Sequence, residues 1–420
     1  MHSLADAWAA IAKQVQHLEP EVVALGLARE RCLAESITAR FPLPGFDNSA
    51  MDGYAVRHEE VVAAPSAAWT ICGESRAGGP WPAPLPQGQV MRIFTGAPLP
   101  EGADTVVIQE HAELVAGAEK QDLKAVRFVS PPDGFGQHVR RRGSDLAPGV
   151  CILNPGQILH AGELALLASQ GYSNVSVVRR PLVAILATGD ELCDVDHAGK
   201  SGKVVNSNAY ALAAQVEEAG GKPWVLEVAI DRKDAVVKQI SAALLAKSAA
   251  DVLVTVGGVS VGDYDVVWPA LAEVGVTRHF WKVAVKPGKP IVFGSLGRQL
   301  VFGLPGNPVS AMVTFELFVR PALRKLQRDL HPYRAALDAR LATSRRHGHS
   351  RTEVLPGRLS RDALGLRAEP VAHLGSGSLP SMMNIDALIF LPPGPDSYDA
   401  GNIVQVLPIN VASSMRPPSL

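Results

Sequence analysis

The segment from residue 179 to 328 most constrains the fold, because short continuous apolar runs alternate there with helix-like stretches. The apolar runs are PLVAILATGDEL, KPWVLEVAI, ADVLVTVGGVSVGDYD and QLVFGLPG. Strands that are buried on both faces read as continuous apolar runs, and intervening helices supply the crossovers of a parallel sheet. The pattern therefore predicts a parallel, doubly wound α/β domain over residues 179–328.

The flanking segments have different textures. Apolar side chains recur at helical spacing near the start, which predicts helices over residues 3–40, and HAGELALLASQGY predicts another with Gly171 at its C-terminal cap. Short apolar runs between Gly/Pro clusters predict small β modules. We therefore expect a segmented helical domain, an inserted β domain, the α/β domain and a C-terminal β domain, at residues 1–41 with 146–178, 42–145, 179–328 and 329–420.

Charge and hydropathy narrow the function classes. The net charge of −1 argues against nucleic acid as a partner. The N-terminal stretch lacks the apolar core of a signal peptide, and no run of about 18 apolar residues predicts a membrane span. The four cysteines match no metal or redox spacing, and the twelve histidines show no HExxH or other zinc pattern. We expect a cytoplasmic protein with reduced thiols.

Polar loops follow the predicted strands of the α/β domain. They read TGDEL (188–192), GGVSVGDYD (257–265), KPGKP (286–290) and LPGNPVS (304–310). Ligands bind beyond the carboxyl ends of parallel strands, and glycines let backbone N–H groups approach an anion. Any one of these loops could merely turn a corner, but four in succession favour a phosphate or oxyanion site with Lys286 and Lys289.

The same loops carry carboxylates. Asp190, Glu191, Asp263 and Asp265 lie in them, and Asp231 follows the strand KPWVLEVAI. Acids beside an anion site would repel the ligand unless a cation intervened, and Mg²⁺ often bridges carboxylates to phosphates. A solvated acidic rim explains any single acid, whereas the set favours metal-assisted chemistry on a phosphorylated substrate.

Three polar stretches outside this domain leave alternatives open. DNSAMDGY places Asp47 and Asp52 in a turn, which is typical either of a capped turn or of a site. The run Arg140–Arg142 is either a solvated strand end or an anion contact. The basic stretch Arg345, Arg346, His347, His349 and Arg351 is either solvated or receives an anionic ligand.

Seven fragments together resemble the molybdopterin molybdenumtransferase family, to which the C-terminal region of gephyrin also belongs. They are PGFDNSAMDGYAVR, IFTGAPLPEGADTVVIQE, VRRRGSDL, ATGDEL, GGVSVGDYD, WKVAVKPGKP and GLPGNPVSAM. They occur in the family's order from about residue 4 to 410. Each fragment is modestly specific, and the set is highly specific.

The resemblance implies an activity and an assembly. Family members insert molybdate into adenylylated molybdopterin with Mg²⁺, releasing AMP and molybdenum cofactor. They are homodimers whose subunits have a parallel α/β molybdopterin-binding domain, a segmented helical linker and dimerisation domain, a small inserted β domain and a C-terminal β-barrel-like domain. Each active cleft is shared between subunits, and molybdopterin adenylyltransferase and molybdoenzyme chaperones are possible transient partners.

The resemblance also implies residue roles. Catalytic roles fall on Asp52, Thr95, Asp145, Glu191, Asp231 and Asp265, of which Glu191 and Asp265 position Mg²⁺. Substrate contacts fall on Lys286, Lys289, Gly257, Gly258, Ser260, Asn307, Ser376 and Arg351. Two positions depart from the family pattern: Thr255-Val256 lacks one hydroxyl before GGVS, and Asn206 stands where some members have Asp.

Two other functions remain as alternatives. A non-catalytic scaffold could use the same fold, since fold does not fix function. A molybdopterin adenylyltransferase would share the α/β domain and the GGVS loop. The intact acids and lysines favour the enzyme over the scaffold, and an adenylyltransferase would not need the segments with DNSAMDGY and RRRGSD.

Overall fold

The computed structural model describes residues 1–115, 124–199, 202–258, 266–371 and 375–410. Contacts divide the chain into two compact units. The α/β unit comprises Met1–Glu35, Pro155–Leu164 and Asn174–Leu420, and the insertion unit comprises Ser36–Asn154 and Ala165–Ser173. The four-domain division suggested by the sequence stays a prediction.

The helices are short and lie mostly in the α/β unit. They are α1 Leu4–Gln14, α2 His58–Ala63, α3 Ala161–Ser169, α4 Ser207–Glu218, α5 Lys233–Leu244, α6 Val267–Glu273, α7 Pro308–Thr314 and α8 Arg320–Leu326. A π-helical segment, Phe315–Val319, joins α7 to α8. Within the described ranges, every helix is too short or too polar to cross a bilayer.

The strands fall into three groups along the chain. The first group is β1 Pro20–Ala24, β2 Ile37–Thr38, β3 Asn48–Ser49, β4 Gly53–Val56, β5 Ala68–Ser75, β6 Gln89–Ile93, β7 Thr105–Ile108, β8 Ala112–Val115, β9 Ala125–Phe128, β10 Val139–Arg140, β11 Cys151–Leu153 and β12 Asn174–Val178. The second group is β13 Leu182–Ala187, β14 Leu192–Cys193, β15 Val204–Val205, β16 Lys222–Val225, β17 Val252–Val256, β18 Thr277–Trp281, β19 Val285–Lys286, β20 Val292–Leu296 and β21 Gln299–Leu304. The third group is β22 Leu337–Leu341, β23 Arg345–Arg346, β24 Thr352–Asp362, β25 Gly365–Pro370, β26 Ala387–Leu391, β27 Ser397–Tyr398 and β28 Ile403–Pro408.

The central sheet has the order β16-β13-β17-β21-β20-β18. Its first four strands are parallel, which confirms the predicted parallel core. Alternate side chains enter two different cores: Val183 and Ile185 join one, and Ala184 and Leu186 join the other. Because both faces are covered, the strands had to be apolar throughout.

Two strands at one side of this sheet were not predicted. β20 is antiparallel to both β21 and β18. The β20–β21 connection is a tight hairpin in which Gly297 has a φ of 57°. A hairpin this short leaves no room for the helical crossover that a parallel pair requires, so the doubly wound description holds only for the first four strands.

The prediction of helices over residues 3–40 is wrong after Gln14. The one α-helix there is α1, with Ser3 and Asp6 in a capping box at its start, and Leu25–Leu27 forms a short 3-10 helix. β1 begins at Pro20 and pairs antiparallel with β12, since the β-branched pair Val22-Val23 fits a strand better than a helix. The predicted helix ending near Gly171 is confirmed as α3, and Gly171 has the positive φ of a C-terminal cap.

The insertion unit is built on a six-stranded sheet in the order β7-β4-β6-β5-β9-β8, as the sequence predicted for a small β module. DNSAMDGY contributes to two sheets: β3 pairs with β10 in a separate two-stranded sheet, and Gly53 then begins β4 of the six-stranded one. The segment RRRGSDL begins at Arg140, the last residue of β10, so the two fragments are neighbours in the same unit.

The C-terminal strands close into a barrel. β24, β25, β22, β28 and β26 pair in turn, and β26 pairs back onto β24. The short strand β19 adds to the edge of β24 in parallel, with Lys286 opposite Glu353. The barrel therefore holds the KPGKP loop through its first residue.

Candidate active site

A cavity of about 650 Å³ lies at the carboxyl ends of the parallel strands. Residues from each predicted loop cluster that the structure describes contribute to its wall. They include Glu191, Asn206, Asn208, Gly257, Gly258, Pro290, Gly306, Asn307 and Gly377. The position agrees with the sequence prediction, because parallel strands end together at this edge of the sheet.

Glycines form the part of the wall nearest the strands. A Cβ on Gly257 would lie 2.9 Å from the Thr188 carbonyl oxygen, and one on Gly258 would lie 2.3 Å from Val267 Cγ2. Both residues have positive φ, which disfavours any side chain. The loop therefore exposes backbone to the cavity, as a close-fitting anion site requires.

Asparagines complete this wall. Asn206 caps α4 by accepting a hydrogen bond from the Ala209 N–H at 3.3 Å, so the departure from Asp preserves the helix cap. Asn208 Nδ2 donates to the Gly306 carbonyl at 2.7 Å, while its buried Oδ1 has no protein partner within the described ranges. Asn307 Nδ2 donates to Ser376 Oγ at 2.9 Å, so the structure brings these two predicted substrate residues together.

Three carboxylates gather where β13 ends. The backbone N–H of Asp231 donates to Asp190 Oδ1 at 3.1 Å, and the Glu191 carboxylate folds back over Gly189. Burial, followed by the charges of Asp190 and Glu191, raises the pKa of Asp231 above its ordinary value. Lys203 Nζ donates to the Asp190 carbonyl oxygen at 2.6 Å, but none of the three carboxylates forms an ion pair within the described ranges.

This donor set fits Mg²⁺, which prefers oxygen ligands and keeps several waters. Asp190, Glu191 and Asp231 do not bring three oxygens within 4.8 Å of one another, since the one such group among the described residues lies elsewhere. We therefore infer that these carboxylates would hold the ion partly through water. Asp265, the second predicted ligand, lies outside the described residues, as do Asp263 and Ser260.

The two predicted lysines have different surroundings. Lys286 Nζ lies 3.1 Å from Glu353 Oε1, a carboxylate that is almost fully buried. Lys289 is exposed, and its ammonium has no ion-pair or hydrogen-bond partner in the part of the chain that the structure covers. A Cβ on Gly288 between them would lie 2.2 Å from Thr314 Cγ2, so this glycine lets the loop pack against α7.

In the insertion unit, Asp52 and Thr95 are in contact. Asp52 Oδ1 accepts hydrogen bonds from the Thr95 N–H and the Thr95 hydroxyl, each at 2.7 Å. These bonds hold the pKa of the Asp52 carboxyl below its ordinary value. The pairing brings together two predicted site residues that are 43 positions apart in the sequence.

Asp145 and Asp47 connect to the arginine run. Asp145 forms an ion pair with Arg140 and accepts a hydrogen bond from the hydroxyl of Ser144. Asp47 accepts from Arg141 Nη1 and from the Arg142 backbone N–H, both at 2.7 Å. Asp47 therefore joins DNSAMDGY to RRRGSDL, which for this residue favours the capped turn over a site.

The structure also shows a cluster that the sequence analysis missed. His347, His349 and Glu353 offer ligand atoms within 4.8 Å of one another. Burial, and then the charge of Lys286, lower the pKa of His349. A search for the spacing His-x-His-x₃-Glu, rather than for HExxH, would have found the cluster. Arg351 lies beside it and donates to the Val285 carbonyl at 3.4 Å.

Known protein families match most of the chain. Residues 2–171 match the MoeA N-terminal region (domains I and II), residues 184–325 a probable molybdopterin binding domain, and residues 338–409 the MoeA C-terminal region (domain IV). The fold is thus that of a multidomain molybdopterin-biosynthesis protein.

Individual relatives extend over most of the chain. A molybdopterin molybdenumtransferase of Bacillus subtilis is 36% identical over 392 residues, covering 93% of this chain and 90% of the relative. One from Nostoc is 40% identical over 314 residues, covering 73% and 70%. A molybdopterin biosynthesis MoeA protein from Pyrococcus horikoshii superposes with a TM-score of 0.81 at 26% identity, covering 97% of this chain and 100% of that one. The chain belongs to the molybdopterin molybdenumtransferase family, and it is a transferase of molybdenum cofactor biosynthesis.

Proposed function

We propose that the chain inserts molybdate into adenylylated molybdopterin with Mg²⁺, releasing AMP and molybdenum cofactor. The observation that carries the proposal is the composition of one cavity wall. Backbone-exposing glycines, a carboxylate of the acidic cluster and the end of the KPGKP loop all line the same 650 Å³ space. A phosphoanhydride needs these three features: close donors, a metal-binding carboxylate and nearby cations.

Substrate binding is assigned to the glycine and asparagine wall. Gly257 and Gly258 let the backbone approach the pterin phosphate, and Asn307 with Ser376 closes the far side. The Lys289 ammonium is free to contact an oxyanion, and molybdate is the oxyanion that we assign to it. Arg351 and Lys286 add positive charge next to this loop.

The acids have a separate role. Glu191, Asp231 and Asp265 hold Mg²⁺ directly or through water, and the ion offsets charge on the phosphoanhydride when it is bound. The raised pKa of Asp231 supports this assignment, because a cation would relieve the repulsion that raises it.

Transfer of molybdenum to the dithiolene requires no oxidant or reductant. A molybdate oxygen attacks the phosphorus of AMP, and the phosphoanhydride bond to molybdopterin breaks. The attacking oxygen stays on AMP while the two sulfurs of the dithiolene take the molybdenum, which remains hexavalent. The two thiol protons leave with a second molybdate oxygen as water. No side chain acts as a covalent nucleophile.

We further propose that the enzyme is a homodimer whose cleft is completed by the partner subunit. Asp52, Thr95 and Asp145 belong to the insertion unit, and in this proposal they serve the α/β unit of the other subunit. A molybdopterin adenylyltransferase would supply the substrate as a transient partner, because the adenylylated intermediate is reactive.

The test is a reaction of the purified chain with adenylylated molybdopterin, molybdate and Mg²⁺, with AMP and active cofactor assayed. We expect both products, with loss of at least about a hundredfold in Glu191→Gln and Lys289→Met. Glu217→Gln, an exposed change at the far end of α4, is the matched control. AMP release that is independent of Mg²⁺ and equal in all variants contradicts the site.

An isotope experiment tests the chemical step. Oxygen-18 in molybdate should appear in AMP, and its absence contradicts the proposed attack.

A further inference from the structure

We propose that His347, His349 and Glu353 form a second metal site, distinct from the acidic cluster, for a divalent transition ion such as Zn²⁺. Their ligand atoms lie within 4.8 Å of one another, with both histidines between β23 and β24 and Glu353 at the start of β24. Two imidazoles and one carboxylate are a donor set that suits Zn²⁺, Fe²⁺ or Co²⁺ and does not suit Mg²⁺.

Hydrogen bonding selects the tautomer of the neutral His347 ring. Its Nε2 lies 3.1 Å from the Arg351 carbonyl oxygen. A carbonyl can only accept, so Nε2 carries the proton and Nδ1 of the neutral ring presents a lone pair. A metal-ligating histidine typically donates its other ring N–H to a carbonyl in this way.

That lone pair has no partner. His347 is 2% exposed, and its Nδ1 is buried without a hydrogen bond within the described ranges. Both ring nitrogens of His349 are likewise buried without a hydrogen bond within the described ranges. Leaving three buried imidazole nitrogens unpartnered is costly, because each has given up its hydrogen bonds to water. A metal ion would satisfy one nitrogen on each ring.

The three ligand atoms are close enough to bind one metal ion after small movements. Zn–N bonds are about 2.0–2.1 Å, so ligand atoms of a tetrahedral site are about 3.3 Å apart. The three ligand atoms now lie no more than 4.8 Å apart, so each pair needs to approach by at most about 1.5 Å. His347 and His349 have centroids 4.4 Å apart and flank Gly348, whose Cβ position is open space, so small ring rotations are possible.

The main objection is the positive charge nearby. Glu353 already contacts Lys286 at 3.1 Å and Arg345 Nη2 at 3.1 Å, and Arg351 lies beside His349. The Lys286 side chain is 42% exposed, so it can leave Glu353 for solvent while Arg345 stays. A metal ion would replace one positive charge with another. An oxyanion would use the same cations, but it cannot bond to the lone pair on His347 Nδ1.

Replacing Lys286 should have opposite effects on binding, depending on whether the cluster holds a metal ion or an anion. If a metal competes with the lysine for Glu353, Lys286→Met tightens metal binding. If the cluster holds an anion, Lys286→Met weakens binding instead. Release of Lys286 by the metal would also free the ammonium for the reaction, and only this last consequence rests on the proposed function.

The experiment uses the full chain, freed of metal, with Zn²⁺ and Co²⁺ followed by calorimetry and by the visible absorption of Co²⁺. We expect one ion per chain at this site, a loss of at least about tenfold in affinity for His347→Ala and His349→Ala, and a gain for Lys286→Met. His331→Ala, an exposed histidine, should leave binding unchanged. Because Glu353→Gln leaves Arg345 without a partner and could unfold the barrel, the half-buried His349 provides the decisive variant.

Two results would overturn the site. One is equal Co²⁺ binding by the native chain and by His349→Ala. The other is binding of molybdate or sulfate that is lost in Lys286→Met while Zn²⁺ does not bind. Absorption typical of cobalt–thiolate bonds would place the ion on cysteines and would count against the proposal as well.

Discussion

Asp52 Oδ1 accepts two hydrogen bonds from the single residue Thr95, one from its backbone N–H and one from its hydroxyl, each at 2.7 Å. Both donors favour the charged carboxylate, so the pKa of Asp52 lies below its ordinary value. The stability that they confer is present above the unfolded pKa and is lost as the pH falls through the folded one.

Thr95→Val should raise the pKa of Asp52 toward its ordinary value without abolishing the shift. The substitution removes the hydroxyl donor and keeps the N–H donor, whose contribution is the larger. NMR titration of the Asp52 carboxyl measures the change. Thr70→Val, in strand β5 of the insertion unit, is the control and should leave the pKa of Asp52 unchanged. A larger shift in the control would contradict the assignment.

Gly53→Ala should destabilise the insertion unit by about 3 kcal/mol, since its Cβ would lie 2.0 Å from the Val107 carbonyl oxygen in a paired strand. Gly73→Ala in the same sheet is the matched control, because its nearest neighbour is Met91 Cε at 3.9 Å. Denaturant unfolding of both variants compares the free energies. Equal stability would mean that the β4–β7 pair is looser than the structure shows.

The glycine at position 53 illustrates what the sequence could not supply. Periodicity and loop composition predicted the parallel strands, because a doubly covered sheet requires apolar residues at every position. The contact between β4 and β7 joins residues that are 49 to 55 positions apart in the sequence, and no local pattern predicts it. The same reason explains why the Asp47–Arg141 pair was missed. The His347 cluster is local in sequence and was missed for a different reason, because the histidines were compared only with zinc patterns such as HExxH. Glu191, Gly257 and Asn307 were expected at one edge of the sheet, and all three line the cavity there.

Thr255→Val should raise the midpoint of thermal unfolding by about 2–4 °C, equivalent to about 1 kcal/mol. The Thr255 hydroxyl is buried and has no protein partner in the part of the chain that the structure covers. Valine has the same shape and no polar group. Differential scanning calorimetry measures the midpoint.

The comparison variant is Thr105→Val, which should have the opposite effect. The Thr105 hydroxyl is equally buried, but it donates to Asp104 Oδ1 at 2.8 Å and accepts from the Gly136 N–H at 3.1 Å. Its loss should cost about 1–2 kcal/mol. Effects of the same sign in both variants would show that burial alone, and not hydrogen bonding, decides the outcome.

Mg²⁺ should raise the thermal midpoint at neutral pH, and the rise should shrink as the pH falls. The pKa of Asp231 is raised, so between its unfolded and its folded pKa the folded chain binds more protons than the unfolded chain. Without metal, stability therefore falls as the pH rises through that window. Protons and Mg²⁺ compete for the same carboxylate, and thermal scans with and without Mg²⁺ across this range measure the competition.

Asp231→Asn should stabilise the metal-free chain near pH 7 and reduce the Mg²⁺ effect, because it removes one of three mutually repelling charges. Asp234→Asn is the control, since its exposed carboxylate pairs with Arg232 and lies outside the cluster. An undiminished Mg²⁺ effect in Asp231→Asn would remove this residue from the proposed metal site.

Mixed dimers test whether the cleft is shared between subunits. Asp52→Ala and Glu191→Ala chains should each be inactive alone, and co-refolding them should restore activity. Random pairing makes half of the dimers mixed, and each mixed dimer has one intact cleft of two, so about a quarter of the native activity should return. A mixture of Glu191→Ala with Asp231→Ala should show no recovery, because both changes fall in the same α/β unit. No recovery in the first mixture would place Asp52 and Glu191 in a site within one subunit.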